Sequence, residues 1–302
     1  YQSKRKAILM NKRRENLAGY AFISPALITF IILIAFPFFF SIFLSLTEWN
    51  FLSGIENIKF VGLKNFLKLA SDKRFLFGVS NTFIYAITIV PTSVILALVL
   101  AYLLNDKVYG KTGLRLCFFI PYISNQVALA AVFKLMFRDD GVINNIIQKI
   151  TGSTETIHWF TNSQLNKIPI IIFVIWVQLG FELVIYMAAL QNVPRDLYEA
   201  AELDGVTPWK KFWKITFPLI SPTTFYLIVV QFITIFKIFS SIDVMTYGNI
   251  STSNTSLVVE IFQNAFSNYK FGYASAEATG RVIFIVIITA INFIAQKKWV
   301  HY

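Results

Sequence analysis

Apolar residues collect into six runs along this chain, at 18–46, 80–104, 114–137, 168–190, 217–239 and 274–295. A helix of about 20 apolar residues crosses a hydrocarbon layer of about 30 Å, so each run is long enough to span. The first run is too long for the core of a cleaved leader, and no small-residue cleavage site follows it cleanly, so it reads as a span. The pattern predicts an all-α, polytopic membrane protein with six transmembrane helices. A basic segment 1–16 precedes them and a tail 299–302 follows. No repeat or linker divides 17–298, which reads as one transmembrane unit. Pro121 predicts a kink in the third span.

Composition supports that class. Of 302 residues, 56% are hydrophobic and 14% charged, against about 25% charged in soluble domains. The net charge of +11 might suit nucleic acid, but the basic residues sit at the ends of the runs. Lys4, Arg5, Lys6, Lys12, Arg13 and Arg14 precede the first, Lys107 and Lys111 lie between the second and third, and Lys297 and Lys298 close the last. Arg195, Lys210, Lys211 and Lys214 lie between the fourth and fifth. The alternate segments are longer and less basic for their length. By the positive-inside rule both termini and the 194–218 segment are cytoplasmic, and no nucleic-acid partner is expected.

Catalytic signatures do not emerge. Cys117 is the lone cysteine, and His158 and His301 are far apart, so no disulfide or metal-ligand spacing is present. Gly110-Lys111-Thr112 imitates the end of a phosphate-binding loop, but Asn105 stands where the first glycine belongs. The chain is expected to be no enzyme and to bind no cofactor or metal.

The polar stretch 194–218 carries the most specific pattern. Pro194 suits a helix start, Gly205 suits a left-handed stop, and Thr207-Pro208 suits a second start. Trp209, Phe212 and Trp213 recur at helical spacing among lysines. This predicts two short helices joined by a tight turn. An amphipathic membrane-surface anchor is the plainer reading. The order Glu199-Ala200-Ala201, three residues, Gly205, nine residues, Ile215-Thr216-Phe217-Pro218 resembles the EAA loop of permease subunits of binding-protein-dependent ABC importers, with Phe217 in a Leu position and Val206 in an Ala position. Softer resemblances to carbohydrate permeases, maltose-permease-like, lie at Gly62-Leu63-Lys64-Asn65-Phe66, Phe119-Ile120-Pro121, 188–194 and 271–276.

The resemblance implies a multi-pass subunit of a bacterial or archaeal cell membrane that imports a sugar or oligosaccharide. It implies a cytoplasmic ATPase dimer that holds the ATP and Mg, a second related permease, more readily a heterodimer than a homodimer, and an external solute-binding protein. It assigns Glu199, Ala200, Ala201, Asp204, Gly205, Trp209 and Phe212 to the ATPase joint. It places the substrate site on the spans flanking the loop. There, Gln178 and Glu182 share a helix face, with Phe181 beside them, and Gln231, Thr234, Ile235 and Ile238 share another. Such residues also suit packing against a partner permease or against one another. Asn125 and Gln126 are further candidates for the path. Lys237 is expected to snorkel, and Glu277 and Arg281 to pair. An ion-coupled secondary transporter, an ABC importer for a non-sugar solute, and a membrane-embedded enzyme are the alternatives. An acidic relay with internal repeats marks the first, and a nucleophile or metal cluster the last.

Overall fold

The computed structural model describes residues 2–105, 110–246 and 251–300. Lys107 in the expected basic turn and the end of the 299–302 tail lie outside the described residues. The fold is helical, apart from a two-stranded antiparallel ladder of β1 (Thr47–Glu48) and β2 (Lys59–Phe60). Among the described residues, five helices are long and apolar enough to cross a membrane: Glu15–Ser45, Lys73–Asn105, Ile168–Gln191, Pro208–Ile235 and Phe271–Lys298. A sixth is a bent pair.

The first span joins α1 (Gln2–Phe30) to α2 (Phe36–Ser45) through a π-turn at Ile31–Ala35. It is exposed along most of its length and meets the rest of the chain mainly through α2. After the ladder come α3 (Lys64–Ser71) and α4 (Lys73–Asn105). Then follow α5 (Lys111–Ile123), α6 (Gln126–Met136), α7 (Val142–Thr151) and α8 (Ile168–Gln191). The core lies where α4, α8 and α11 (Phe217–Ile235) meet, around Tyr85, Ile89, Phe173, Leu183, Tyr186 and Leu227. Lipid tails are as apolar as these side chains, so close packing and interhelical hydrogen bonds hold such a bundle. Tyr186 Oη donates to Thr224 Oγ1 at 3.1 Å, and Ser93 Oγ donates to Glu182 Oε1 at 2.9 Å. At Gly180 the backbones of α8 and α5 approach so closely that a Cβ would overlap the Phe118 carbonyl oxygen.

The third span departs from the expected gentle kink. It bends by 100°, and the break falls after Pro121, at Ser124 and Asn125, which are both extended. Asn125 Oδ1 accepts from the N–H groups of Val127 (2.9 Å) and Ala128 (3.2 Å), restoring bonds that the break removes. The sharp turn costs little because the cap is built in.

The 240–273 segment, expected as a polar loop, is folded onto the bundle. It contains α12 (Ser240–Thr246) and α13 (Leu257–Phe262) and leads into α14 (Phe271–Ala295). Its polar groups are tied to α4. Asn81 Nδ2 donates to Thr252 O (2.9 Å), Tyr85 Oη to Asn254 O (3.0 Å), and the Leu257 N–H to Thr82 Oγ1 (3.0 Å). Arg74 pairs with Glu260 at 3.3 Å. The expected Glu277–Arg281 pair does not form. Asn264 Nδ2 occupies both Glu277 oxygens, at 3.0 and 3.1 Å, and Arg281 Nε has no hydrogen-bond partner.

Candidate functional site

Two features stand out, an exposed elbow at one end of the bundle and a polar cavity within it. The elbow begins with α9 (Arg195–Leu203), whose N-cap is Pro194. The helix ends in a Schellman turn: the Val206 N–H donates to Ala201 O at 2.9 Å and the Gly205 N–H to Glu202 O at 3.1 Å. Gly205 has φ +68°, a conformation that costs an L-residue about 1–2 kcal/mol. Thr207 occupies the next N-cap position without a side-chain bond, and Pro208 follows at the first helical position. The second short helix, α10 (Pro208–Lys211), is not separate. It runs through a π-turn at Phe212–Thr216 into α11, so 208–235 is one continuous rod.

Three contacts brace the elbow. Tyr198 Oη and Thr216 Oγ1 share a hydrogen bond at 2.8 Å, Lys211 pairs with Glu202 at 2.8 Å, and Phe212 packs edge-on against Tyr102 of α4 with centroids 5.3 Å apart. Ala201 is buried against the turn, while Glu199, Ala200, Asp204 and Gly205 are exposed and Trp209 is 72% exposed. Leu203, not singled out from sequence, is 91% exposed at the end of α9. Its signal in the sequence is a leucine in the last turn of a short helix, two residues before the glycine that ends it.

The cavity, of about 180 Å³, lies between α6, α8 and the reversal from α11 into α12. Gln126 opens α6 on one wall, and Gln178 faces it from α8, about 15 Å along that helix from its start. Thr234, Ile235 and Ile238 line it from the α11 side. Lys237, Ser240 and Ser241 complete the polar lining. Four of the seven expected substrate residues therefore come together: Gln178, Thr234, Ile235 and Ile238. The other three stand elsewhere. Glu182 is fully buried and turned to Ser93, Gln231 is buried, and Phe181 stacks on Tyr122 with centroids 5.1 Å apart. Lys237, expected to snorkel, is exposed and also lines the cavity, in the turn between α11 and α12. Asn125 is spent capping α6.

A larger groove of about 770 Å³ runs between α4, α10 and α11. Its walls are almost wholly apolar, and Tyr186 and Thr224 on them bond to each other. It offers little to a polyhydroxylated solute.

At the end of the bundle away from the elbow, Tyr273 Oη donates to Asp72 Oδ2 at 2.6 Å. Burial acts to raise the Asp72 carboxyl. The Tyr273 hydroxyl, the N–H groups of Phe75 and Arg74 and the Lys68 charge outweigh it, so the group lies below the ordinary carboxylate range.

The described residues form a bundle of five long apolar helices and one bent pair, with a polar cavity and a braced helix–turn–helix, which is the architecture of a polytopic membrane protein. Residues 67–297 match the binding-protein-dependent transport system inner membrane component family, and the chain belongs to that family. It is therefore a multi-pass transport subunit, not an enzyme. It is 34% identical over 294 residues to the probable ABC transporter permease protein YesP of Bacillus subtilis (strain 168), covering 96% of this chain and 94% of that one. It is 31% identical over 291 residues to the lactose transport system permease protein LacF of Rhizobium radiobacter, covering 95% and 96%. A chain of a bacterial alginate ABC transporter, crystallised with an alginate pentasaccharide-bound periplasmic protein, matches at a TM-score of 0.80 and 22% identity. That match covers 95% of this chain and 96% of that one, and supports the fold.

Proposed function

We propose that this chain forms half of the membrane pathway of an ATP-driven importer for a sugar or oligosaccharide. The observation that carries this reading is the polar cavity walled by Gln126, Gln178, Thr234, Ser240 and Ser241, of which Gln178 and Thr234 lie on α8 and α11, the two helices that flank the elbow. Amides and hydroxyls bond sugar hydroxyls, and the apolar lining beside them accepts the CH faces of a sugar ring. The lactose permease among its relatives supports the same solute class.

In this reading an external binding protein delivers the solute, and a second, related permease supplies the other half of the pathway. A cytoplasmic ATPase dimer grips the elbow through Glu199, Asp204 and Leu203, with Trp209 and Phe212 behind them. Both termini face the cytoplasm. Closure of the ATPase pair displaces α9, and the rod 208–235 carries that motion to Thr234 and the cavity. Gln178, Thr234, Ile235 and Ile238 touch solute, while Phe181, Glu182 and Gln231 hold the wall from behind.

Uptake of a labelled oligosaccharide panel into proteoliposomes tests the reading. Accumulation is expected to require ATP, the ATPase subunits and the binding protein together. Uptake driven by an ion gradient without ATPase would contradict it.

A further inference from the structure

The cavity has an electrical sign. Lys237 is the one charged side chain among the described residues that line it. It is exposed to the cavity mouth and forms no ion pair among the described residues. Its own N–H donates to Thr234 O at 3.0 Å, which fixes the base of the side chain at the wall. The eleven-residue α6 begins at Gln126, which lines the same cavity, with Asn125 capping its first turn.

The wall also holds polar groups with no partner. Gln178 and Ser241 are each only 7% exposed, both line the cavity, and neither side chain makes a hydrogen bond among the described residues. The polar ends of both side chains stay open to the cavity, where they can bond water or the hydroxyls of a solute. Nothing on the wall offsets the positive charge. Glu182, one turn beyond Gln178, is sealed against Ser93 and does not reach the cavity.

We infer that the cavity takes a saccharide bearing a carboxylate, a uronate, with the Lys237 ammonium pairing its charge. Gln126, Gln178 and Ser241 bond the neighbouring hydroxyls. A carboxylate suits the site better than a phosphate. One ammonium matches one negative charge, and no arginine fork is present to hold a dianion. This assignment rests on the saccharide reading above.

The test uses the transporter purified with its co-expressed partner subunits and titrated calorimetrically with two probes, trigalacturonate and its fully methyl-esterified form. The two share a skeleton and differ in charge. Trigalacturonate is expected to bind about tenfold more tightly than the ester, the size of one charge-assisted hydrogen bond. Lys237→Gln is expected to erase that preference, and Lys237→Arg to keep most of it. Co-elution of the variants with the partner subunits checks assembly. Equal binding of the two probes, or a preference that survives Lys237→Gln, overturns the charge assignment and leaves the saccharide reading standing. If neither probe binds while maltotriose does, the charge assignment alone falls. If no saccharide binds, both readings fall.

Discussion

The Tyr198 hydroxyl and Thr216 Oγ1 lie 2.8 Å apart, and this bond ties α9 to the base of the rod that becomes the fifth span. α9 is only nine residues long and too short to be stable alone. Its hold on α11 determines whether a push on its exposed face reaches the cavity. Tyr198→Phe removes the bond and keeps the ring. It is expected to lower solute moved per ATP hydrolysed roughly fivefold, the equivalent of about 1 kcal/mol. Paired uptake and phosphate-release measurements check this, and an unchanged ratio would count against a mechanical role.

Gly205 gives a second prediction. No atom stands within 4 Å of where its Cβ would be, so the constraint is the backbone angle and not space. Gly205→Asn is expected to retain most uptake, because Asn tolerates the left-handed region. Gly205→Val should lose most of it, and Gly205→Pro should uncouple ATP hydrolysis from uptake, with membrane insertion intact in each. Equal uptake by the Asn and Val variants would show that the turn conformation does not matter.

Leu203 and Glu199 are exposed, and neither side chain has a bonding partner among the described residues. Leu203→Asp and Glu199→Arg are each expected to reduce copurification of the ATPase at least tenfold without changing the thermal midpoint of the isolated membrane subunit. Retained copurification with both variants would move the joint elsewhere.

Gly180 is where α8 crosses α5 at backbone contact. Overpacking such a crossing typically costs about 1–3 kcal/mol. Gly180→Ala is expected to lower the detergent-solubilised melting temperature by several degrees, and Gly180→Leu to prevent stable expression. The reach of the defect is informative too, since α5 leads directly to the break that aims Gln126 at the cavity.

The sequence disclosed these features unevenly, for physical reasons. The elbow was legible because its chemistry is local. Ala201, Gly205 and Pro208 set a helix stop and a helix start within eight residues, and no distant contact competes. The continuity of α10 with α11 was not legible, since a π-turn at 212–216 leaves no mark in the hydrophobic pattern. Pro121 signalled a bend, but the 100° break falls after it, at Ser124 and Asn125, where the Asn125 side chain caps the next helix. Spacing put Glu277 and Arg281 on one face correctly, yet Asn264 on a different segment won the carboxylate. Spacing alone puts Lys237 near the outer end of the fifth span, where snorkelling suits it. That it shares a cavity with Gln126, Gln178 and Ser241 depends on how α6, α8 and α12 pack, which no local pattern carries.

The central claim is that the elbow is the seat of a separate ATPase. A single cysteine tests it directly, with Cys117→Ser clearing the only native thiol and Leu203→Cys placing one at the exposed tip. With a short thiol-reactive crosslinker, the complex is expected to yield a covalent adduct between this subunit and the ATPase, and ATP is expected to change its yield. An adduct that forms instead from a cysteine at the opposite end of the bundle, with none from position 203, would contradict the account.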